Sequence, residues 1–588
     1  MTSQRRQPLR VASWRFYLVI VALVAVVVAL VWHLASLQVL ATNDRGYVFL
    51  QDQGQSRTLR TETIPAYRGV ITDRNGEPLA VSTQVTSLWA NPKLLLRSPE
   101  RWGELSRALN WNRAELESRL TRFANREFMY LQRHISPEAA EAVLALDISG
   151  VYGQSEYRRY YPAGEVTAHL VGTTDIDDRG QEGLELAYDA WLAGESGAKH
   201  VLKDLRGQTV KELGLIKSAR SGQGLTLSID LRLQYLAYRE LKAAVENSGA
   251  KAGSIVILDV DTGEVLAMTN YPSYNPNDRS APRGEGLRNR AITDNYEPGS
   301  TVKPLAVMAA LESGRFKPND VINTHPGYIQ VGTKTLKDPL NYGSLDLSMV
   351  IAKSSQVGMT KLALELEPEV IRNMYARLGI GQALGTGFPG EATGLLPSHK
   401  RWRPIQRATL SFGYGMNSSV LQMAQAYSVI ASGGIKRPVS LLRVDQAPEG
   451  ERVVSESLTR DVTHMLMRVA SSEGTASRAQ AISYTVAGKT GTARKVGPNG
   501  YDENRHIASF AGLAPAENPR VVAVVTIDEP KVEVYSGGGR AAAPVFSKVA
   551  EGALRMLHVP PRSGQELASP SARPVKDTQM DTKGRPVT

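Results

Sequence analysis

The 588-residue chain contains no cysteine. That excludes disulfides and thiolate metal sites, and it suits an oxidising compartment where a stray thiol is a liability. No zinc-ligand spacing occurs in the sequence either. The net charge is +11, yet there is no dense basic run outside the N-terminus, so the charge carries no nucleic-acid signature. Long apolar runs are equally scarce. One stretch near the N-terminus reaches membrane-spanning length and no second follows it.

That one stretch sets the topology. Residues 1–15 are polar and basic, with Arg5, Arg6, Arg10 and Arg15 and no acid. From Phe16 to Trp32 no charge occurs, and the apolar character continues to about Leu37. A span of about 20 apolar residues crosses a bilayer as one helix. Basic residues on its N-terminal side place the N-terminus in the cytoplasm. Trp14, Phe16, Tyr17 and Trp32 mark the interfaces. The run is longer than the roughly 7–15 residues of a signal-peptide core, which argues for an uncleaved anchor over residues 16–37. Everything after it is expected on the far side of the membrane.

The remainder has the composition of a globular protein, with 42% hydrophobic and 22% charged residues, and its length suggests about three units. A polar lead-out over 41–60 precedes Arg68–Gly76, which reads as a strand ending in the Asn75-Gly76 turn. Residues 98–145 have helical periodicity. Arg158–Pro162 and Gly180–Glu185 mark an irregular, Gly-rich region. No nucleophile–base pairing occurs in 41–220, which read as a stalk or docking module. A boundary is expected at Ser221–Gly224. Beyond it, Leu225–Ile229 alternates like a strand and Leu231–Val245 is amphipathic like a helix. Asp261-Thr262-Gly263 turns a hairpin between Ile255–Val260 and Glu264–Thr269. Helices are expected over about 300–480, and Val521–Ile527 is another apolar strand. Strands, then helices, then strands predict an α+β domain over 221–560 whose sheet joins distant segments. The tail, 561–588, has the composition of a disordered segment.

Chemistry concentrates at Glu297-Pro298-Gly299-Ser300-Thr301-Val302-Lys303-Pro304. Leu305, Met308, Ala309 and Leu311 have helical spacing, so Ser300 sits at a helix start and shares a face with Lys303. Unpaired N–H groups there favour developing negative charge. Ser-x-x-Lys also occurs at Ser196/Lys199 and Ser248/Lys251, without that context. Two further motifs follow. Lys353-Ser354-Ser355-Gln356 lies about 54 residues on, and Lys489-Thr490-Gly491-Thr492 lies 189 residues after Ser300. The nine histidines are scattered, and none forms a Ser-His-Asp motif.

Ser-x-x-Lys, Ser-x-Gln and Lys-Thr-Gly in that order resemble the set Ser-x-x-Lys, Ser-x-Asn and Lys-Thr-Gly shared by penicillin-binding proteins and serine β-lactamases. The anchor, Arg68–Gly76, Arg158–Pro162 with His169, Gly172 and Gly183-Leu184-Glu185, and the segments Tyr271–Asn277, Phe412–Gly415 and Ala543–Phe546 make the chain similar to division-type class B penicillin-binding proteins over nearly its whole length. The resemblance implies a serine β-lactamase-like transpeptidase domain, with an antiparallel sheet and helices, on an elongated dimerisation-type pedestal. It implies Ser300 as nucleophile, Lys303 as its base and Ser354 as proton relay. Gln356, Lys489, Thr490, Gly491 and Thr492 would bind substrate, with the N–H groups of Ser300 and Thr492 as oxyanion hole. Gly491 would let the substrate backbone come close. No metal or organic cofactor is implied. The implied substrates are peptidoglycan stem peptides on lipid-linked glycan strands, and β-lactams would acylate Ser300. Implied partners are a membrane-embedded glycan polymerase and divisome proteins, with no nucleic acid, at the bacterial inner membrane with the catalytic domain in the periplasm. Gln356 departs from the usual Asn, which leaves open a specialised paralogue or a non-catalytic scaffold or β-lactam sensor. A β-lactamase fits less well, being compact and unanchored.

Overall fold

The computed structural model describes residues 12–38, 59–203, 209–280, 284–498, 500–531 and 537–562. The lead-out over 41–58, most of the basic N-terminal segment and the tail beyond 562 lie outside the described residues. Helix Ser13–Gln38 holds an apolar span, Ser13–Ala35, of 23 residues with mean hydropathy 2.9 and no burial. At 1.5 Å per residue such a span is about 35 Å long, enough for a bilayer core of about 30 Å.

Two compact units follow, and they do not run in simple chain order. One gathers Thr83–Arg158 and Ala193–Gly222 with the described residues before Gly69, while Gly69–Ser82, Arg159–Leu192 and everything from Gln223 belong to the other. The last change from one unit to the other falls at Gly222/Gln223. The insertion of 69–82 and 159–192 into the second unit has a polar cause. Asp73 accepts the Leu231 N–H at 3.0 Å, Arg159 and Glu185 form a fully buried ion pair at 2.6 Å, and Asn277 bonds both backbone groups of Tyr161 at 2.9 Å. Buried charges and backbone groups need such partners, so these segments are fixed there.

In the first unit, the Thr86–Ala90 end of strand Pro78–Ala90 pairs with Met129–Ile135, opposing Trp89 to Tyr130, and the strand also pairs with Val151–Tyr160. A second sheet orders Leu59–Ile64, Gly197–Lys203 and Thr209–Lys217. The stretch 98–145 is not all helix. Trp102–Ala108, Arg113–Arg122 and Pro137–Leu144 are helical, but Met129–Ile135 is a strand. Met129 and Leu131 alternate into the core with Leu88, Leu105, Leu116 and Leu120, a period-2 pattern too short to stand out among helices. In the second unit, the Asn75-Gly76 turn forms as expected, joining Ile71–Thr72 antiparallel to the Pro78–Ala80 start of strand Pro78–Ala90.

The second unit is built on a five-stranded antiparallel sheet. Its order is Val265–Tyr271, Ala252–Asp259, Val521–Asp528, Gly500–Ala514 and, at the edge, Ala487–Gly497. Ala252–Asp259 and Val521–Asp528 are central and almost wholly apolar, and they are buried along nearly their full lengths. Helices Leu231–Ser248 and Ala543–Met556 pack together against this sheet, as do Val420–Ala431 and Glu456–Ala470. The expected strand over Leu225–Ile229 is reduced to Leu225–Thr226. The helical region is interrupted by three small sheets, Val321–Asn323 with Ser344–Asp346, Tyr328–Val331 with Lys334–Lys337 and Ile435–Lys436 with Glu451–Arg452.

Candidate active site

Ser300 lies in a 3₁₀ turn, Gly299–Val302, that runs straight into helix Lys303–Glu312, with Pro304 in its first turn. The turn is held from three sides. Gly299 adopts φ +57°, and its N–H donates to Gly413 O at 3.2 Å. Gly413 has to be glycine, because a Cβ there would sit 2.3 Å from Gly299 O. The Tyr427 hydroxyl donates to Thr301 O at 2.8 Å. The helix behind is buried from Lys303 to Ala310, so the half-buried Ser300 is presented from a rigid base.

Lys303 is fully buried, and Nζ donates to Ser354 O at 2.5 Å and lies 3.1 Å from Ser354 Oγ. Lys489, equally buried, lies 3.0 Å from the same Oγ and also reaches Thr490 O and Oγ1 at 3.0 and 3.2 Å. Two amines from residues 186 apart in sequence thus meet at one hydroxyl. Burial pulls Lys303 from 10.5 down to about 7, with Asp338 offsetting part of the fall. Burial, and then the charge of Lys303, pulls Lys489 well below its ordinary value. Two ammonium groups on one oxygen repel in a medium that solvates neither, so the pair favours one amine and one ammonium. In that state Ser354 Oγ–H donates to the neutral amine and accepts from the charged one. Lys303 makes these bonds to Ser354, not to Ser300 as its position on the helix suggested. Among the described residues the Ser300 hydroxyl has no hydrogen-bond partner, which leaves it free to turn toward a bound carbonyl.

Ser354 holds φ +58°, in the left-handed region. The next residues fix it there. Ser355 caps helix Gln356–Glu365, accepting the Gly358 N–H at 2.9 Å. Asp338, which the sequence did not single out, accepts from Ser355 Oγ at 2.5 Å, Gln356 N at 2.6 Å and Val357 N at 3.2 Å. An aspartate 17 residues from Ser355, at the end of a small hairpin, carries no local signal. Its role is visible only when the hairpin folds back on the helix start. Gln356 is half-buried at the first helical position. Its side-chain amide has no partner among the described residues.

Lys489, Thr490, Gly491 and Thr492 lie on the edge strand Ala487–Gly497, as the motif implied. Thr490 Oγ1 bonds Thr475 Oγ1 at 2.8 Å, and Thr492 Oγ1 accepts the Gly538 N–H at 3.3 Å. Gly491 also packs closely within the chain. A Cβ there would meet Ser509 Oγ at 2.3 Å, Thr301 Cγ2 at 2.8 Å and Pro298 O at 3.1 Å. Its bare Cα therefore lets the edge strand press against the Ser300 turn. Glu297, one residue before that turn's Pro298, accepts the Gly415 N–H at 2.8 Å and the Tyr501 O–H at 3.0 Å.

The other candidates fall away. Ser248 is buried and bonded back to Ala244 O at 2.6 Å within its own helix. Ser196 is exposed, and Lys199 is paired with Glu212 and Glu62. His169 is buried against Gly286 O at 2.7 Å, with burial lowering it to about 4. The described residues hold no cluster of three metal-ligating side chains.

A serine at a helix start, two lysines on a second serine and an edge strand beside them make up an acyl-transfer site of the penicillin-recognising type. Family models agree. Residues 253–551 match the penicillin-binding protein transpeptidase domain and residues 63–227 the penicillin-binding protein dimerisation domain, and the chain belongs to the class B penicillin-binding proteins. It is 43% identical over 554 residues to the peptidoglycan D,D-transpeptidase FtsI of Escherichia coli K12, covering 93% of each chain. It is 41% identical over 566 residues to a probable peptidoglycan D,D-transpeptidase, PbpC, of Pseudomonas aeruginosa, covering 96% of this chain and 98% of that one. Among solved structures, penicillin-binding protein 3 of Mycobacterium tuberculosis in complex with aztreonam superposes with a TM-score of 0.67 at 29% identity, covering 85% of this chain and 98% of that one.

Proposed function

We propose that the chain is a peptidoglycan D,D-transpeptidase that cross-links stem peptides through an acyl-enzyme on Ser300. The observation that carries the reading is the meeting of Lys303 and Lys489 at Ser354 Oγ beside the Ser300 turn. Ser300 Oγ attacks the carbonyl between the two terminal D-alanines while its proton passes to the Lys303 amine. Burial keeps that amine near neutrality, where a base is both available and strong enough. Ser354 then passes a proton to the departing D-alanine amine. The N–H groups of Ser300 and Thr492 take up the oxyanion, and Lys489 with Thr490 and Thr492 holds the terminal carboxylate. An amine of a neighbouring stem attacks the ester, which forms the cross-link and returns Ser300. β-Lactams enter the same path and stay on Ser300.

The names of the relatives support peptidoglycan cross-linking; wall synthesis at division, with a lipid-linked glycan polymerase and divisome proteins as partners, is the part of this proposal that rests on the family resemblance alone. The arginines before the membrane helix support a cytoplasmic N-terminus and a periplasmic catalytic unit. Gln356 in place of the family's usual Asn favours a second reading, a β-lactam-binding scaffold without turnover. One experiment separates them. The full chain in detergent is incubated with a fluorescent penicillin and, separately, with a D-Ala-D-Ala thioester analogue and an acceptor amine. The transpeptidase gives a penicillin adduct on Ser300 and amide product, both lost in Ser300→Ala. An adduct with no amide product identifies the scaffold, and an adduct on Ser196 or Ser248 overturns the site.

A further inference from the structure

Strand Thr209–Lys217 is the outer strand of the first unit's second sheet, paired on one side only, to Gly197–Lys203. Its register slips three times. Lys217 opposes Ala198 but Leu215 opposes Lys199, Gly214 opposes His200 but Glu212 opposes Val201, and Lys211 opposes Leu202 but Thr209 opposes Lys203. Each slip leaves one residue of the outer strand without a cross-strand partner, and those residues are Ile216, Leu213 and Val210. All are apolar, and they are 50%, 49% and 69% exposed. Leu215 beside them is 60% exposed. A bulge bends its strand and re-aims the extra side chain. The slips therefore set an apolar stripe outside the ladder, where nothing in the described chain covers it. Soluble surfaces rarely gather such a run without a partner for it.

We infer that this stripe rests on the surface of the bilayer that holds the anchor helix, with anionic headgroups against its lysines. The first argument is the broken ladder. A strand added at this edge, from another protein or a second copy, needs an even row of N–H and C=O groups, and bulges are one way an edge refuses it. Contact must come through side chains, as it does with lipid. The second argument is charge. Val210 and Ile216 are each followed by a lysine, Lys211 and Lys217. A lysine stem lies along an apolar surface while its amine stays with the headgroups. Among the described residues Lys211 and Arg60 have no acidic partner, whereas Lys217 is paired with Glu195 and Lys199 with Glu62 and Glu212. The strands of the sheet carry Arg60, Lys199, Lys203, Lys211 and Lys217 against Glu62 and Glu212, a positive balance that anionic lipid attracts. The third argument is the tether. Helix Ser13–Gln38 and strand Leu59–Ile64 of the same sheet are separated by 20 residues, which reach at most about 70 Å when fully extended. The sheet is thus held near the bilayer, and at the effective concentration of a short tether even a weak contact is populated.

The inference rests on the membrane helix and is independent of the chemistry at Ser300. A chain without cysteine takes single labels cleanly. Val210→Cys, Leu213→Cys and Ile216→Cys each carry an environment-sensitive fluorophore, with Ser118→Cys on the exposed side of helix Arg113–Arg122 as comparison. The full-length chain is placed in nanodiscs of mixed phosphatidylglycerol and phosphatidylcholine, a single copy to a disc, with and without lipid bearing a quencher at headgroup depth. Melting temperatures are expected to be unchanged, because every substituted position is already exposed. The stripe labels are expected to be quenched and the Ser118 label not. Lys211→Gln in the Leu213→Cys background is expected to lower the ratio of quenched to free label about fivefold, the effect of one basic charge at an anionic surface. A stripe that stays unquenched in single-copy discs overturns the proposal, and so does equal quenching of the Ser118 label. Quenching confined to discs that hold two copies assigns the stripe to a second copy and overturns it as well. Quenching as strong in discs of phosphatidylcholine alone, or unchanged in Lys211→Gln, overturns the assignment to anionic headgroups.

Discussion

Asp338 offers the sharpest test of how this site is held. Its carboxylate is 8% exposed and accepts three hydrogen bonds at the start of helix Gln356–Glu365. Asp338→Asn keeps the shape and removes the charge. The amide oxygen can still accept from Gln356 N and Val357 N. The amide NH₂, however, now faces Ser355 Oγ, which already accepts from Gly358 N, so the Ser355 proton loses its acceptor. Hydrogen bonds to a charged group contribute about 1.5–3 kcal/mol against roughly 0.5–1.5 for neutral ones, and the anion also loses its attraction to the helix start. A loss of about 1–3 kcal/mol at the residues that aim Ser354 corresponds to roughly a 5- to 150-fold slower acylation if it falls on the transition state.

The same substitution makes a second, independent prediction in pH. The base form of Lys303 is the neutral amine, so acylation rises through a limb near its value of about 7. Asp338 favours the ammonium and raises Lys303. Removing it lowers Lys303 further, so the limb of Asp338→Asn moves to lower pH even as the plateau falls. The assay is the second-order rate of acylation by a fluorescent penicillin from about pH 5 to about pH 9. An unchanged plateau refutes the claim that Asp338 positions Ser354. A limb that stays or rises refutes its electrostatic link to Lys303.

Two further substitutions probe neighbouring contacts. Gly491→Ala places a methyl 2.3 Å from Ser509 Oγ and 2.8 Å from Thr301 Cγ2, and it is expected to lower stability by about 1–3 kcal/mol and slow acylation, as read by thermal melting and penicillin labelling; a variant with wild-type melting and rate would mean the turn yields freely. Gln356→Asn shortens an amide that has a torsion to freeze on binding, worth up to ~1 kcal/mol, and with the bond geometry it regains, acylation should quicken about 5- to 30-fold for some β-lactams; equal rates across several drugs would mean the pocket has adapted to the longer side chain.

What the sequence revealed depended on how local each signal is. The Ser300 turn, the edge strand of Lys489 and the pairing of Val521–Asp528 with Ala252–Asp259 follow from helix-start chemistry, a motif and a pair of apolar strands. Asp338 was hidden because its partners are 17 to 19 residues away across a hairpin. Gly491 was legible as a glycine that must be bare, but its approach to Thr301 and Ser509 was not, because no spacing in the sequence signals it. The strand Met129–Ile135 was lost among helices because two alternating buried residues do not outweigh flanking 3.6-residue periodicity. The same limit applies to 69–82 and 159–192, whose place is set by Arg159–Glu185 and Asp73 rather than by any linker composition.

Ser354 joins these threads, because its backbone as well as its hydroxyl is specialised. A non-glycine residue at φ +58° carries a strain of about 1–2 kcal/mol. The turn turns its carbonyl to Lys303 while Oγ stays between both amines. Comparing Ser354→Ala with Ser354→Gly separates the two roles. Both lose the hydroxyl, so both should lose acylation to the same extent and leave the same two amines without their shared partner. They differ only in backbone. Glycine relieves the left-handed strain but adds about 0.5–1 kcal/mol of unfolded-state entropy, so Ser354→Gly should be the more stable by up to about 1 kcal/mol. Denaturant unfolding of the two variants measures the difference directly. If Ser354→Ala is clearly the more stable, the strain of the turn is smaller than the entropy difference of about 0.5–1 kcal/mol, and the aim of the hydroxyl comes chiefly from Asp338 and the Ser355 cap.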